Sequence, residues 1–505
     1  MLAGNVSSLG GSWQQVPSWL LSTVFHLSFI LILASYTVVG GLRPQPEMLA
    51  TLTRGDGGGD PRGLEAASLD APVENAPAEN KLDQVLQPAA GAPASGPLES
   101  QAALLPAAPT IANPLNAMFV PAGVGKDGAA GANGDLLGGI GNAITGSLQG
   151  RLSAATRAEL VRRGGGTPES EAAVAQSLEW LSEHQNYDGS WSFEHQTAPR
   201  CGGRCGHWGV MSSPAASTAL GLLPFLGAGE THRQGRYKQN VDLALHYLGA
   251  LQRSDGGLWD DLGNMYGHGL AAIALCEAYG MTRDPALMVA AQKSIDFIVA
   301  AQDRVGGGWR YEPRERGDTS VVGWQMMALK SANMAYLKVP SDTIRKAGYF
   351  LDSVQQQDGA MYGYQTRGSG TATSAIGLLC RMYMGWKQDR PALVNGVSFI
   401  SEDRPSLNNS GPPRNNMYYN YYATQVMHHY GGDAWSKWNA AMRDYLIAAQ
   451  GKAGHEAGSW YFEGTDPGST AGGRLYCTAL ATMTLEVYYR HLPLYTEQSV
   501  KDEFK

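Results

Sequence analysis

The sequence predicts an all-α protein: six helical hairpins closed into an α/α toroid, set behind one transmembrane helix and a disordered linker. Three observations carry this expectation. An aromatic residue, then Leu or Ile, then three residues and a Gln recur along the last two-thirds of the chain. Each copy is followed by a second segment that is apolar around most of its circumference. Upstream of these copies, the composition divides the chain into an uncharged apolar start and a long Ala-, Pro- and Gly-rich stretch.

The 505 residues exceed one ordinary hydrophobic core, so more than one region is expected. The net charge of −7 excludes the basic face of a nucleic-acid binder. Five cysteines in this length exclude a disulfide scaffold. The 64 glycines call for a disordered tract, a loop-rich repeat, or both.

Residues 1–41 read as a membrane anchor. No Asp, Glu, Lys or Arg occurs before Arg43, and Trp19 to Val39 is an apolar run long enough to span a bilayer as a helix. Pro17 and Trp19 suit its entry and Tyr36 its exit. A cleaved signal peptide would need a basic start and a small-residue cleavage site, and neither is present. The expected location is a single-pass membrane protein. Arg43 after the span weakly favours a cytoplasmic C-terminus, and the side of the toroid stays open.

Residues 42–166 read as a disordered linker. Between 42 and 150 the only aromatic is Phe119, and five basic residues face eleven acidic ones. Such a stretch cannot bury enough apolar surface to offset its ordering entropy. One short helix over 152–163 is expected to lead into the domain. Residues 496–505 form a tail.

The folded part runs over 168–495. The aromatic of the repeat falls at Trp180, Tyr247, Phe297, Phe350, Phe399 and Tyr445. The Gln follows as Gln185, Gln252, Gln302, Gln355 and Gln450, with Arg404 in the sixth place. A Gly-containing turn and an aromatic come next, as Trp191, Trp259, Trp309, Tyr362 and Trp460. The first helix of each hairpin is amphipathic, for example through Val241, Leu245, Leu248 and Leu251. The second helices are expected at 215–226, 269–279, 320–332, 373–384, 421–430 and 478–489. Being apolar nearly all round, they should form the inner ring. The Gln and Trp are expected to be repeat glue: an amide that satisfies orphan backbone groups at a helix end, and an indole packed over the turn.

The pattern seen whole at Trp180 to Trp191 resembles the QW repeat of squalene–hopene cyclases and related triterpene cyclases. Protein prenyltransferase β subunits share the toroid, and the chain is similar to proteins of the prenyltransferase and squalene oxidase repeat class over 168–495. The resemblance implies an apolar, isoprenoid- or lipid-like ligand. It also implies a proton donor in an Asp-x-Asp-Asp-Thr-Ala motif, matched here by Glu315-Arg316-Gly317-Asp318-Thr319-Ser320. Asp318 and Thr319 survive, and Gly317 stands where the donor aspartate would be. A prenyltransferase-like zinc site would need Asp-x-Cys; Asp318-x-Ser320 has serine instead of a thiolate, a poor zinc ligand.

The loops entering the second helices are expected to line one rim of a central cavity. Tyr266, Trp324, Tyr418, Tyr419, Tyr422, Arg474 and Tyr476 are its expected lining, and Asp318 with His268 the candidate acid–base pair. Aromatic packing between hairpins and a helix-capping role for Asp318 are the alternatives at those positions. The segment from His195 to His207 carries Cys201 and Cys205. Zinc held by these cysteines with two of the segment's histidines, His207 foremost, is one reading; a disulfide and free thiols are the others. Cys276 and Cys380 read as small core residues. Three functions follow: a membrane-anchored cyclase-like toroid with an apolar ligand, a non-catalytic tethered binding or scaffold module of the cell envelope, or a carbohydrate-active α/α barrel. The last would need two opposed acids, drawn from Asp260, Asp261, Glu312 and Asp318.

Overall fold

The computed structural model describes residues 148–258, 264–402, 416–463 and 467–495. All belong to one compact unit, Thr51–Lys505. The expected span at 19–39, the linker up to 147, Trp259, Asp260, Asp261, Arg404 and the tail lie outside the described residues. Among the described residues, no helix is long and apolar enough to cross a membrane.

Helix α1 (Ala154–Gly164) leads into the domain. Six helices then carry one buried stripe each: α2 (Pro168–Glu183), α4 (Lys238–Leu251), α6 (Pro285–Ala301), α8 (Ser341–Val354), α10 (Pro391–Ser401) and α12 (Gly432–Ala449). In α4 the stripe is Val241, Ala244, Leu245 and Leu248, the 3.6-residue spacing of a helix packed on one side. Six others alternate with these: α3 (Pro214–Gly227), α5 (Met265–Thr282), α7 (Thr319–Met334), α9 (Thr371–Tyr383), α11 (Met417–Tyr430) and α13 (Pro467–Leu485). These bury almost every side chain, and α14 (Val487–Arg490) continues the last of them.

The inner helices pack in sequence, α3 on α5, α5 on α7, α7 on α9, α9 on α11 and α11 on α13, and α13 returns to α3. That last contact closes the ring. Neighbouring inner helices run parallel: Gly269 of α5 faces Trp324 and Gln325 near the start of α7, and Gly280 faces Ala335 beyond its end. All inner N-termini therefore share one rim. The apolar character of the inner segments, with small residues such as Gly267 and Gly269 at their contacts, lets them stand this close.

The Gln residues join one repeat to the next. Gln185 Nε2 donates to Gly189 O in its own turn and to Asn240 O in α4, both at 2.9 Å. Gln252 does the same with Gly256 O and Ala290 O, and Gln302 with Gly307 O and Thr343 O. Gln450 reaches Gly458 O and, across the closing point, Ala173 O of α2 at 2.8 Å. Gln355 departs from this set: it lies in a two-residue strand β1 (Gln355–Gln356) paired antiparallel with β2 (Met361–Tyr362). The indoles are equally regular. Trp191, Trp309 and Trp460 donate from Nε1 to the carbonyls of Leu181, Ile298 and Leu446, the residue after the aromatic in each copy. The turn glycines Gly189 and Gly458 adopt φ of 91° and 87°, a conformation open to glycine at little strain.

The domain starts earlier than the composition indicates. Residues 148–164, placed in the linker by their low aromatic content, form a 3-10 turn (Leu148–Leu152) and α1. Leu148 is buried against Gly280 of α5. Arg151 Nη1 meets Glu277 Oε2 at 2.7 Å, and Arg490 Nη2 meets the same carboxylate at 3.0 Å. This charged plug sits near the C-terminal ends of the inner helices. Burial alone would push the Glu277 carboxyl up, but Arg151 and Arg490 together hold it below the usual range.

Candidate functional site

At the rim formed by the inner N-termini, Asp318 caps α7. Its Oδ1 accepts the Val321 N–H at 2.8 Å, the local geometry an aspartate favours at a helix start. Its Oδ2 lacks full hydrogen-bonding geometry but has Tyr364 beside it and Arg310 Nε 3.8 Å away. The side chain is fully buried. Burial pushes its carboxyl up to about 7, against smaller downward pulls from the Val321 N–H, Tyr364 and Arg310.

Rings crowd round this carboxyl. Trp324 of α7 lies 6.2 Å from Tyr418, 5.7 Å from Tyr421 and 5.5 Å from Tyr422, centroid to centroid. Tyr418 and Tyr422 meet edge-on at 5.2 Å. The Tyr418 hydroxyl approaches Ser320 O at 3.5 Å. Tyr266 of α5 stacks on Tyr311 at 6.1 Å, and the Tyr311 and Tyr364 hydroxyls are 3.0 Å apart. Burial, reinforced by Tyr418 and Asp318, keeps the Tyr266 phenol well above its usual range. Within this aromatic surround, Ser320 Oγ and the Tyr266 and Tyr422 hydroxyls are buried next to the Tyr418 hydroxyl, and Asp318 Oδ2 next to Tyr364 and Arg310, none of these four atoms in full hydrogen-bonding geometry. A buried polar atom without a well-made hydrogen bond is costly, so a group of poorly satisfied hydroxyls and a carboxyl oxygen in one place can take up a further polar partner.

The other expected site residues sort differently. His268 is fully engaged by backbone: Nδ1 accepts the Leu258 N–H at 3.0 Å and Nε2 donates to Ser294 O at 3.0 Å. Its place is taken in other repeats by Thr218, Ser374 and Thr478, whose hydroxyls accept the N–H of Trp191, Tyr362 and Trp460. His268 is thus a repeat fastener, not the partner of Asp318, and burial lowers it to about 4. Tyr419 turns outward: its hydroxyl donates to Ile400 O and its ring packs edge-on against Trp438 of α12. Arg474 follows the kink at Gly473 within α13 and is spent on Ser459 Oγ, Glu456 Oε2, Gly206 O and His207 Nδ1. Tyr476 is buried beside Gly472. Of the four acids expected for a carbohydrate-active site, Glu312 is exposed and Asp318 buried, while Asp260 and Asp261 lie outside the described residues.

Gly317 explains why the motif lacks its donor. A Cβ at this position would lie 2.6 Å from Gly308 Cα and 3.0 Å from Phe350 Cδ2. The two glycine backbones touch, so no side chain fits there.

Cys201 and Cys205 are both buried and carry no disulfide. Gly202 and Gly203, with φ of 55° and 78°, turn the loop between the two cysteines, whose sulfurs lie within 4.8 Å of each other. They meet His184, at the end of α2, and His455, on the 3-10 turn Gly454–Glu456; the four ligand atoms all lie within 4.8 Å of one another. His207, the expected third ligand, instead stacks on Tyr461 at 4.0 Å and contacts Arg474. Neither histidine lies in the segment 195–207: His184 ends the helix that precedes it, and His455 is brought to it only by ring closure.

A groove of about 240 Å³ elsewhere on the domain is lined by Arg157, Glu171, Glu230, Arg236, Tyr237 and Tyr489 among others; none of the expected site residues lines it.

No family model matches the chain, and no curated protein matches it either. Among solved structures, the chain is similar to a type II terpene cyclase from Scytonema in complex with geranylgeranyl dihydroxybenzoate, at 13% identity and a TM-score of 0.45, covering 64% of this chain and 98% of that one. It is also similar to an α-1,6-mannanase of Salegentibacter in complex with α-1,6-mannotriose, at 10% identity and a TM-score of 0.46, covering 64% and 99%. The ring of inner helices within an outer set makes this chain an α/α toroid.

Proposed function

We propose that the toroid binds an apolar, isoprenoid- or lipid-like ligand that carries one polar group, at the rim where the inner helices begin. The supporting observation is the fully buried Asp318 carboxyl, its Oδ2 short of full hydrogen-bonding geometry, set near the ring group of Tyr266, Trp324, Tyr418 and Tyr422. The rings supply apolar and π surface; Asp318, Ser320 and the two hydroxyls supply directional bonds to the ligand's polar end. With its pKa raised to about 7 by burial, Asp318 is about half protonated near neutral pH, able to donate a hydrogen bond in one form and accept in the other.

Squalene cyclisation is not part of this reading. An alkene is a very weak base and needs a strong, positioned acid, and Gly317 removes the donor that the cyclase motif would supply. The apolar run at 19–39 would hold such a toroid at a membrane, next to the source of its ligand.

Mass analysis of small molecules extracted from the detergent-purified full chain tests the proposal. A co-purifying apolar species, absent from the Trp324→Ala variant, is expected. A purified chain with no bound apolar species, and no uptake of squalene or geranylgeraniol from micelles, would refute it.

A further inference from the structure

We infer that His184, Cys201, Cys205 and His455 form a closed zinc site that fastens the first repeat of the toroid to the last. Cys205 Sγ lies 3.3 Å from His184 Nε2 and 3.1 Å from His455 Nδ1. Zn–S bonds of about 2.3 Å and Zn–N bonds of about 2.0 Å at tetrahedral angles place sulfur and nitrogen roughly 3.5 Å apart, close to this spacing. Two thiolates and two imidazoles in a tight group select zinc over the hard cations. Four protein ligands leave no open position, which makes the site structural rather than catalytic.

The surrounding groups orient both imidazoles. His184 Nδ1 donates to Trp180 O at 2.7 Å, which leaves its Nε2 lone pair aimed at Cys205. His455 turns Nδ1 toward Cys205 and has Glu183 Oε2 3.4 Å from its Nε2. That pair is not in hydrogen-bonding geometry, but Glu183 stands where a small side-chain turn would give the carboxylate–histidine arrangement found behind metal ligands. His195 packs against Trp180 and His184 at 5.3 and 5.5 Å and is not one of the four.

The location gives the site its purpose. Every other pair of neighbouring hairpins is joined by the chain itself; the sixth and first are not. Here the loop of the first repeat reaches over: Gly206 N–H donates to Glu456 Oε1, Arg474 N–H to His207 O, and Met211 N–H to Ala471 O. A metal bridging His184 and His455 would tie residues far apart in sequence and close a very long loop, the case in which a cross-link restricts the unfolded chain most.

The test is the metal content of the full chain, purified in detergent without a metal-affinity tag and supplied with zinc. One tightly held zinc per chain is expected. Cobalt exchange should give the intense visible bands of a tetrahedral ion with thiolate charge transfer, and Cys201 and Cys205 should resist alkylation until a chelator is added. Cys205→Ser and His455→Ala should lose the metal, His207→Ala and His195→Ala should keep it, and Glu183→Gln should weaken binding about 10- to 100-fold. Because the cobalt spectrum and thiol protection are read on the wild-type chain, an unfolded variant does not blunt the test. A wild-type chain without tetrahedral thiolate-bound metal, or with a Cys201–Cys205 disulfide, would overturn the inference, as would zinc loss in His207→Ala with retention in His455→Ala.

Discussion

At the scale of single residues, position 317 and its neighbour 318 decide the chemistry. Gly317 is not a passive loss of an acid, because the backbone of Gly308 occupies the space a side chain would need. Gly317→Asp should therefore destabilise the domain by about 1–3 kcal/mol through overpacking and confer no cyclase activity, read as a lowered denaturation midpoint and no product from squalene. Asp318 carries a pKa raised from 3.8 to about 7, so the native state holds a proton that the unfolded chain releases across this interval. The stability this proton contributes is complete below about pH 4 and lost as pH rises through 7. Asp318→Asn keeps an N-cap and removes the titration. The variant should lose less melting temperature than the wild type between pH 5 and 8, by an amount equivalent to a few kcal/mol; matching pH profiles would contradict the assignment. The motif match located Asp318 in the sequence, but its surroundings are supplied by other repeats, through Tyr266, Tyr364 and Tyr418.

At the scale of elements, much of the helical layout was legible because its signal is local. Apolar stripes at 3.6-residue spacing marked the outer helices, and uninterrupted apolar segments marked the inner ones. The roles within repeats were less legible. His268 looks like a functional histidine in isolation, and its kinship with Thr218, Ser374 and Thr478 emerges only from their shared bonds to turn N–H groups. The tyrosine run of α11 divides by helical phase: Tyr418, Tyr421 and Tyr422 face Trp324, whereas Tyr419 faces Trp438. The plug of the 3-10 turn Leu148–Leu152 was hidden by its composition, since a few well-paired residues hold it. Glu277→Ala would leave Arg151 buried without its carboxylate and Arg490 with only Glu486, 3.6 Å away, so a loss of about 3–5 kcal/mol is expected in chemical denaturation. Deletion through residue 152 should expose the same charges and destabilise the domain to a similar degree; an unchanged midpoint would show that the plug is dispensable.

At the scale of the whole molecule, closure is the property that no local pattern encodes. Six copies and a variable loop in each favoured a ring, and the packing of α13 on α3 completes it. Closure gathers Tyr266, Asp318, Trp324, Tyr418 and Tyr422 at one rim, and brings His455 to a loop that begins near His184. It also explains why the candidate ligands of Cys201 and Cys205 were legible only in part: sequence distance hid one of the two histidines entirely. The central claim, that this rim receives the polar end of an apolar ligand, is tested most directly by titrating geranylgeraniol into the full chain in micelles and following tryptophan fluorescence. Saturable binding at one per chain is predicted, weakened about tenfold by Asp318→Asn, equivalent to about 1.4 kcal/mol for the lost bond, and abolished by Trp324→Ala. Binding that never saturates, or equal affinity in all three proteins, would contradict it.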